Sequence, residues 1–185
     1  MLAPLIRKVM MDRGLDFLKS QISNAVMQHG TLVENLEDHE KQAEDPRYRD
    51  LCSGAIPQMR EHQRMLEEYQ KQIGAEAGMG KKALGKAMGV ARDLADAARE
   101  SDFLRLVGDI VTARQSQDTF ATFREAGKAL ANPQLQRIGE VGEQHHDQFV
   151  REANRLVQQM FIEHARGVGA GADVRATTNV ESPRS

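Results

Sequence analysis

The sequence contains no tryptophan, and aromatic residues make up only 4% of it, so surfaces that stack nucleic-acid bases are not expected. Its one cysteine, Cys52, cannot form an internal disulfide, which is typical of proteins in a reducing compartment. No apolar run approaches the roughly 18 residues of a membrane-spanning helix. Neither sign of charge dominates, because the sequence has 25 Lys and Arg residues and 27 Asp and Glu residues. These absences predict a protein that binds neither nucleic acid nor membranes.

The two ends of the chain differ from its middle. The first 14 residues lack the apolar segment of a secretory signal, because charged residues such as Arg7 and Asp12 interrupt them. With the single cysteine, this predicts a cytoplasmic location. After Arg166 the chain is rich in small and polar residues, which bury too little apolar area to offset the entropy of ordering. The predicted regions are an N-terminal segment (1–14), a helical domain (15–165) and a disordered C-terminal tail (166–185).

The helical domain divides into four helices. Apolar residues recur at steps of four and three, the pattern of helices packed in a bundle. The dipeptide Asp45-Pro46 is predicted to separate the first helix from the second, and Asn132-Pro133 the third from the fourth. The reason is that Asx caps a helix N-terminus and proline fits its first turn. The predicted inward positions are Leu18, Ile22, Ala25, His29, Leu32, Leu36, His39 and Ala43; Tyr48, Cys52, Ala55, Met59, His62, Leu66, Tyr69 and Ile73; Phe103, Leu106, Val107, Ile110, Val111, Phe120, Phe123 and Leu130; and Leu135, Ile138, Val141, His145, Phe149, Ala153, Leu156 and Met160.

The two halves of the domain repeat each other. Residues 16–19, Asp-Phe-Leu-Lys, recur as Asp-Phe-Leu-Arg at 102–105, and the two Asx-Pro dipeptides have nearly the same offset. Each half is therefore predicted to be a helical hairpin. The connection between them, residues 74–100, opens glycine-rich and then carries apolar residues on one helical face, which predicts a short crossover helix. The predicted fold is all-α: a four-helix bundle of two hairpins with one crossover connection.

Several short motifs resemble those of bacterial ferritin-like stress proteins of the YciF type. They are the stretch around Glu61-His62, the Asp45-Pro46 turn, the segment Lys86-Ala87-Met88-Gly89 and the segment from Gly127 to Pro133. The resemblance covers about residues 15–160. It implies a ferritin-like bundle, a stress-type function and pairing into homodimers, and it implies no settled substrate.

The carboxylates of a ferritin-like di-iron centre are mostly missing. Such a centre takes Glu from two helices and Glu-x-x-His from the other two. Glu143 and His146 match one such motif. Three residues before His62 stands Met59, a poor ligand for hard iron, and by the resemblance the remaining carboxylate positions fall near Met27 and at Ala113. The sequence therefore predicts a degenerate or absent di-iron site.

Several histidines are predicted to lie at one height in the bundle. His29 and His62 lie at similar distances from the Asp45-Pro46 turn, and His145 or His146 falls within about a turn of that level. One interpretation is a hydrogen-bonded polar layer that fixes helix register. The other is a non-standard site for a transition metal, iron or zinc, with His29, His62, Glu143 and His146 as ligands. Histidines that face solvent are a third possibility.

These interpretations lead to three classes of function. The first is a stress-type bundle protein with weak metal binding, and the second is a metal-dependent oxidoreductase or metal-storage protein with a His/Glu site. The third is a structural or interaction protein without metal. No set of catalytic residues emerges from the sequence, which favours a protein that is not an enzyme, and the choice between iron, zinc and no metal stays open.

Overall fold

The computed structural model describes the backbone of residues 2–75 and 101–177, and the side chains of residues 13–75 and 101–167. Within these ranges the chain forms four helices and no strand, which confirms the all-α class. The helices are α1 (Leu2–Gln42), α2 (Pro46–Gln72), α3 (Asp102–Ala129) and α4 (Pro133–Thr177). The crossover helix predicted between residues 74 and 100 falls almost wholly outside the described residues.

The domain boundaries predicted at residues 14 and 165 fall inside helices. Helix α1 already begins at Leu2, and α4 continues to Thr177, well into the region predicted to be a disordered tail. Single glycines such as Gly14 and Gly167 explain the difference, since each costs a helix only about 1 kcal/mol and does not by itself end it. The alanines between the later glycines are strong helix formers.

Both Asx-Pro dipeptides begin helices as predicted. Asp45 caps α2 and Asn132 caps α4, each accepting a hydrogen bond from a first-turn amide, at 2.8 and 3.0 Å. Asp102, at the start of α3, accepts hydrogen bonds from the amides of Glu44 and Asp45, both at 2.7 Å. The turn between α1 and α2 is therefore held by the beginning of α3.

Contacts at the helix ends define the topology. Asp102 places the start of α3 beside the end of α1, so these two helices are antiparallel. Arg47 near the start of α2 pairs with Glu163 near the end of α4 at 2.9 Å, while Tyr69 and Asn132 bond at the opposite ends, so α2 and α4 are antiparallel too. The connection after α2 thus starts and finishes at opposite ends of a 27-residue helix, about 40 Å apart.

A polar layer divides the apolar interior into two parts. One part contains Leu36, Met59, Leu106 and Phe149, and the other contains Ile22, Leu66, Phe123 and Leu135. Between them, one position on each helix carries a buried polar side chain. This set is called the central layer below, and its members are His29, His62, Ser116 and His146.

Most predicted inward positions of α1, α2 and α4 are buried, and α3 gives the main correction. Val107 and Val111, and Leu130 directly after the helix, were predicted inward but are 36%, 51% and 63% exposed. The predicted Leu106, Ile110, Phe120 and Phe123 are buried, and Asp109 and Ala113, which were not predicted, are buried with them. The reason is that the apolar run of α3 is wider than the face that its neighbours cover, so periodicity alone does not select the inward residues.

Glycines allow α3 and α4 to approach each other closely. A Cβ on Gly139 would stand 2.2 Å from the backbone nitrogen of Arg124, and a Cβ on Gly127 would stand 2.3 Å from that of Gln136. A Cβ on Gly142 would stand 2.3 Å from the Phe120 ring. Glycine at these positions therefore seats Phe120 directly against α4, next to the central layer.

Candidate metal centre

Three helices each bring one histidine to the central layer. His29 from α1, His62 from α2 and His146 from α4 are 2%, 1% and 0% exposed. One nitrogen of each lies within 4.8 Å of the others, and the ring centroids are 5.2 to 5.9 Å apart. Three imidazoles from separate helices thus converge on one buried point.

The hydrogen bond of His29 determines which of its nitrogens is free. Its Nδ1 lies 3.1 Å from Oε1 of Gln63, and the amide group of Gln63 donates in turn to the Val26 carbonyl and to Glu67. These two bonds fix the orientation of the amide, so Oε1 accepts and His29 Nδ1 donates. The Nε2 atom of His29 is buried, has no partner and carries the lone pair of the neutral ring.

His146 has the same arrangement on α4. Its Nδ1 donates to the carbonyl of Gly142 at 2.7 Å, which leaves the buried Nε2 without a partner. His62 uses the opposite nitrogen: Nε2 bonds Nδ1 of His145 at 2.9 Å, and Nδ1 is unpartnered. Every member of the trio therefore has one nitrogen oriented by a neighbour and one nitrogen free.

Burial keeps the three rings neutral. Desolvation lowers the pKa of His29 to about 4 and the pKa values of His62 and His146 to about 3. Proximity reinforces the effect, since a charge on one ring opposes a charge on the next. At neutral pH the free nitrogens of His29 and His146 therefore present lone pairs, the form of histidine that binds metals, and Nδ1 of His62 presents one in the tautomer whose Nε2 donates to His145.

Helix α3 brings no ligand to this level. It contributes Ser116 and, one turn on, Phe120, whose ring centroid lies 5.0 to 5.6 Å from those of the three histidines. Beside them is a cavity of about 10 Å³, the space that one water molecule needs. Its lining residues are Ala25, Gln28, His29, Leu66, Ser116, Thr119 and Phe120.

Three of the four predicted ligands meet, and the fourth does not. Glu143 lies outside the trio, where its quarter-exposed carboxylate pairs with Arg124. The reason is the rotation of α4, which turns Gly142 and His146 inward as an i, i+4 pair and leaves Glu143 at the edge. The same rotation decides between the two adjacent histidines: His146 is inside, and His145 is half-buried beside His62.

Asp109 forms a second polar cluster that the sequence did not reveal. Its carboxylate is 1% exposed and accepts hydrogen bonds from the Tyr48 hydroxyl at 2.6 Å and from His39 Nδ1 at 3.0 Å. Its other oxygen, Oδ1, is buried without a partner. His39 was predicted to lie on the seam of α1 near the turn, as an edge residue and without this acid as its partner. The only signal of Asp109 was an acidic residue inside an apolar run, between Leu106 and Ile110.

Cys52 lies beside this cluster as a buried side chain. Burial and the nearby Asp109 carboxylate raise the pKa of its thiol well above the usual range. It is therefore a packed core residue and not a reactive nucleophile.

Comparison with protein-family models, curated proteins and solved structures finds no match. Among the described residues, no helix is long and apolar enough to cross a membrane. The described fold and site define a class by themselves: a four-helix bundle with one long connection and a buried cluster of three histidines at its centre.

Proposed function

We propose that this chain is a ferritin-like bundle protein that binds one transition-metal ion on His29, His62 and His146, in the place where a di-iron protein holds its carboxylates. Zinc is the first candidate and iron the second. The observation that carries the proposal is that all three histidines leave one buried nitrogen without a partner, and that one nitrogen of each ring lies within 4.8 Å of one nitrogen of each other ring.

A purely structural polar layer accounts less well for these nitrogens. Structural layers stabilise a bundle because their polar atoms bond one another, and each buried polar atom left unsatisfied costs about 1–3 kcal/mol. Here Gln63, Gly142 and His145 satisfy one nitrogen of each ring and leave the other free. That division of roles is the usual one in metal sites, where an outer partner orients each histidine and the second nitrogen binds the ion.

The chemistry of the donors favours zinc. Imidazole suits zinc, copper, iron and nickel, whereas di-iron centres rely on carboxylates, and here Met59 and Ala113 are buried apolar residues. Nitrogens on one tetrahedral zinc stand about 3.3 Å apart, as follows from Zn–N distances of about 2.0–2.1 Å. Because the nitrogens of the trio lie within 4.8 Å of each other, shifts of the order of 1 Å suffice to close the site.

The remaining parts of the proposal come from the resemblance and the composition. The single long connection matches ferritin-like topology. Leu104, Val107 and Val111 form an exposed apolar stripe on α3, which supports pairing of two copies into a homodimer. A stress-type role in the cytoplasm fits a chain whose one cysteine is reduced and buried.

Metal analysis tests the proposal. The full chain, purified without chelators or a histidine tag, should contain about one equivalent of metal, and adding zinc to the stripped protein should raise its melting temperature. His62→Leu and His146→Leu should each remove most of the metal and the thermal shift. His164→Leu is the matched control, because that exposed histidine lies on the same helix as His146, away from the trio.

The variants also separate metal binding from a structural role. If the layer is only structural, the wild type carries no metal above background, and His62→Leu costs about 1–3 kcal/mol by stranding its partner. That result would refute the metal site and leave the bundle as a structural protein.

A further inference from the structure

The three-histidine site has a fourth side on which the described residues place no ligand. Three neutral imidazoles come from α1, α2 and α4, and α3 supplies Ser116 and Phe120 at that level. A zinc site that serves only structure has four protein ligands, whereas sites that act on other molecules keep three and leave a position open.

Charge points to the kind of ligand that takes this position. A divalent ion on three neutral imidazoles brings two positive charges into a layer whose histidines are at most 2% exposed. A buried charge is costly unless a counter-charge accompanies it. The two carboxylates described above have other partners: Glu143 pairs with Arg124, and Asp109 accepts from Tyr48 and His39.

The cavity beside His29 shows where such a ligand fits. It lies between α1 and α3, is about 10 Å³ in volume and is lined by side chains with polar atoms, namely Gln28, Ser116 and Thr119. It is the size of one water molecule, so it excludes bulky groups. Of the three histidines, His29 lines this cavity, so a group of that size in it lies beside one of the proposed ligands.

We propose that the metal on His29, His62 and His146 keeps one coordination position for a small anion, which occupies the cavity lined by Ser116 and Thr119. This inference rests on the proposed metal site and adds its ligand class. The anion supplies the missing negative charge, and the cavity limits the anion to about the size of one water molecule. The metal site then binds small anions and is not a closed structural site.

Cobalt(II) in place of zinc provides the test, because its visible spectrum reports the ligands directly. The stripped chain is loaded with one equivalent of cobalt and titrated with fluoride, an anion about as large as a water molecule, and in parallel with benzoate. Fluoride should change the spectrum saturably at one equivalent per cobalt, and benzoate should leave it unchanged. A cobalt spectrum that fluoride does not alter overturns the open position, and equal binding of benzoate overturns the small cavity.

Variants connect the anion to the cavity. Ser116→Leu should keep one equivalent of cobalt and weaken fluoride binding at least tenfold, while Gln115→Leu, at the exposed neighbouring position, should bind fluoride like the wild type. If Ser116→Leu does not fold, Thr119→Leu fills the same cavity from a half-buried position. Fluoride binding unaffected by a folded cavity variant contradicts the proposal. Failure of cobalt itself to bind refutes the metal site instead, so the two failures are distinct.

Discussion

The rings of His62 and His145 stack with their centroids 4.9 Å apart, and a hydrogen bond of 2.9 Å joins His62 Nε2 to His145 Nδ1. His145 is half-buried at the edge of the bundle, whereas His62 is buried in the central layer. The bond occupies Nε2 of His62 and fixes the orientation of its ring, while Nδ1 stays buried without a partner. His145 is therefore a positioning residue for the site.

Replacing His145 with alanine should weaken metal binding by about 10–100-fold, the usual effect of removing an outer partner of a ligand histidine. The fold should survive, because His145 is only half-buried. Competition against a chromophoric chelator measures the affinity. His145→Gln offers a carbonyl oxygen as a substitute acceptor and should lose less. Equal affinities for the wild type and His145→Ala would show that the bond does not orient His62.

Two helical glycines, Gly139 in the contact between α3 and α4 and Gly54 on the exposed side of α2, should respond in opposite ways to substitution by alanine. Gly139→Ala should destabilise the protein by about 1–3 kcal/mol, because its Cβ would meet the backbone of Arg124, which cannot move aside as a flexible side chain does. Gly54→Ala should stabilise it by about 0.5–1 kcal/mol, since that helical glycine has open space around it. Urea unfolding measures both, and a neutral Gly139→Ala would disprove the close approach.

Tyr48 and Tyr69 offer a matched pair for the buried carboxylate. Tyr48→Phe removes a hydrogen bond to Asp109 and should cost about 1.5–3 kcal/mol, the range for bonds to charged groups. Tyr69→Phe removes a bond to the neutral amide of Asn132 and should cost about 0.5–1.5 kcal/mol. The comparison uses the free energy of unfolding at pH 7. Equal losses would show that the bond to the Asp109 carboxylate stabilises the fold no more than the bond to the Asn132 amide.

Much of this architecture is predictable from the sequence. Steps of four and three place His29 and His62 inside, because a helical repeat is a property of neighbouring residues alone. Asp45-Pro46 and Asn132-Pro133 mark helix starts for the same local reason. Three of the four predicted ligands follow from these rules together with the height of each residue along its helix.

The remaining features depend on contacts between helices. The rotation of α4 about its axis decides that His146 faces the interior, whereas His145 and Glu143 lie at the edge. That rotation is set by Gly139 and Gly142, which fit closely against α3. The pairing of Asp109 with His39 joins residues 70 positions apart. Neither has a local pattern, because the partners meet only after the bundle forms. Periodicity defines a face to within about one residue, and here one residue decides which side chain lies in the buried histidine cluster.

The buried histidines predict that the metal-free protein loses stability in mild acid. In the unfolded chain a histidine has a pKa of about 6.5. In the folded protein burial lowers the pKa of His29 to about 4 and those of His62 and His146 to about 3. Between pH 4 and 6.5 the unfolded state therefore binds more protons, so the free energy of unfolding rises with pH across this range and levels off above it.

Each of the three histidines should contribute a slope of up to about 1.4 kcal/mol per pH unit. Urea unfolding of the chelator-treated protein at steps from pH 4.5 to 7.5 measures the total. His62→Leu should lower the slope by about a third, because it removes one of the three histidines whose pKa burial lowers. Identical slopes for the wild type and His62→Leu would mean that His62 is protonated when folded. With zinc present the loss in acid should become steeper, since protons then displace the metal as well.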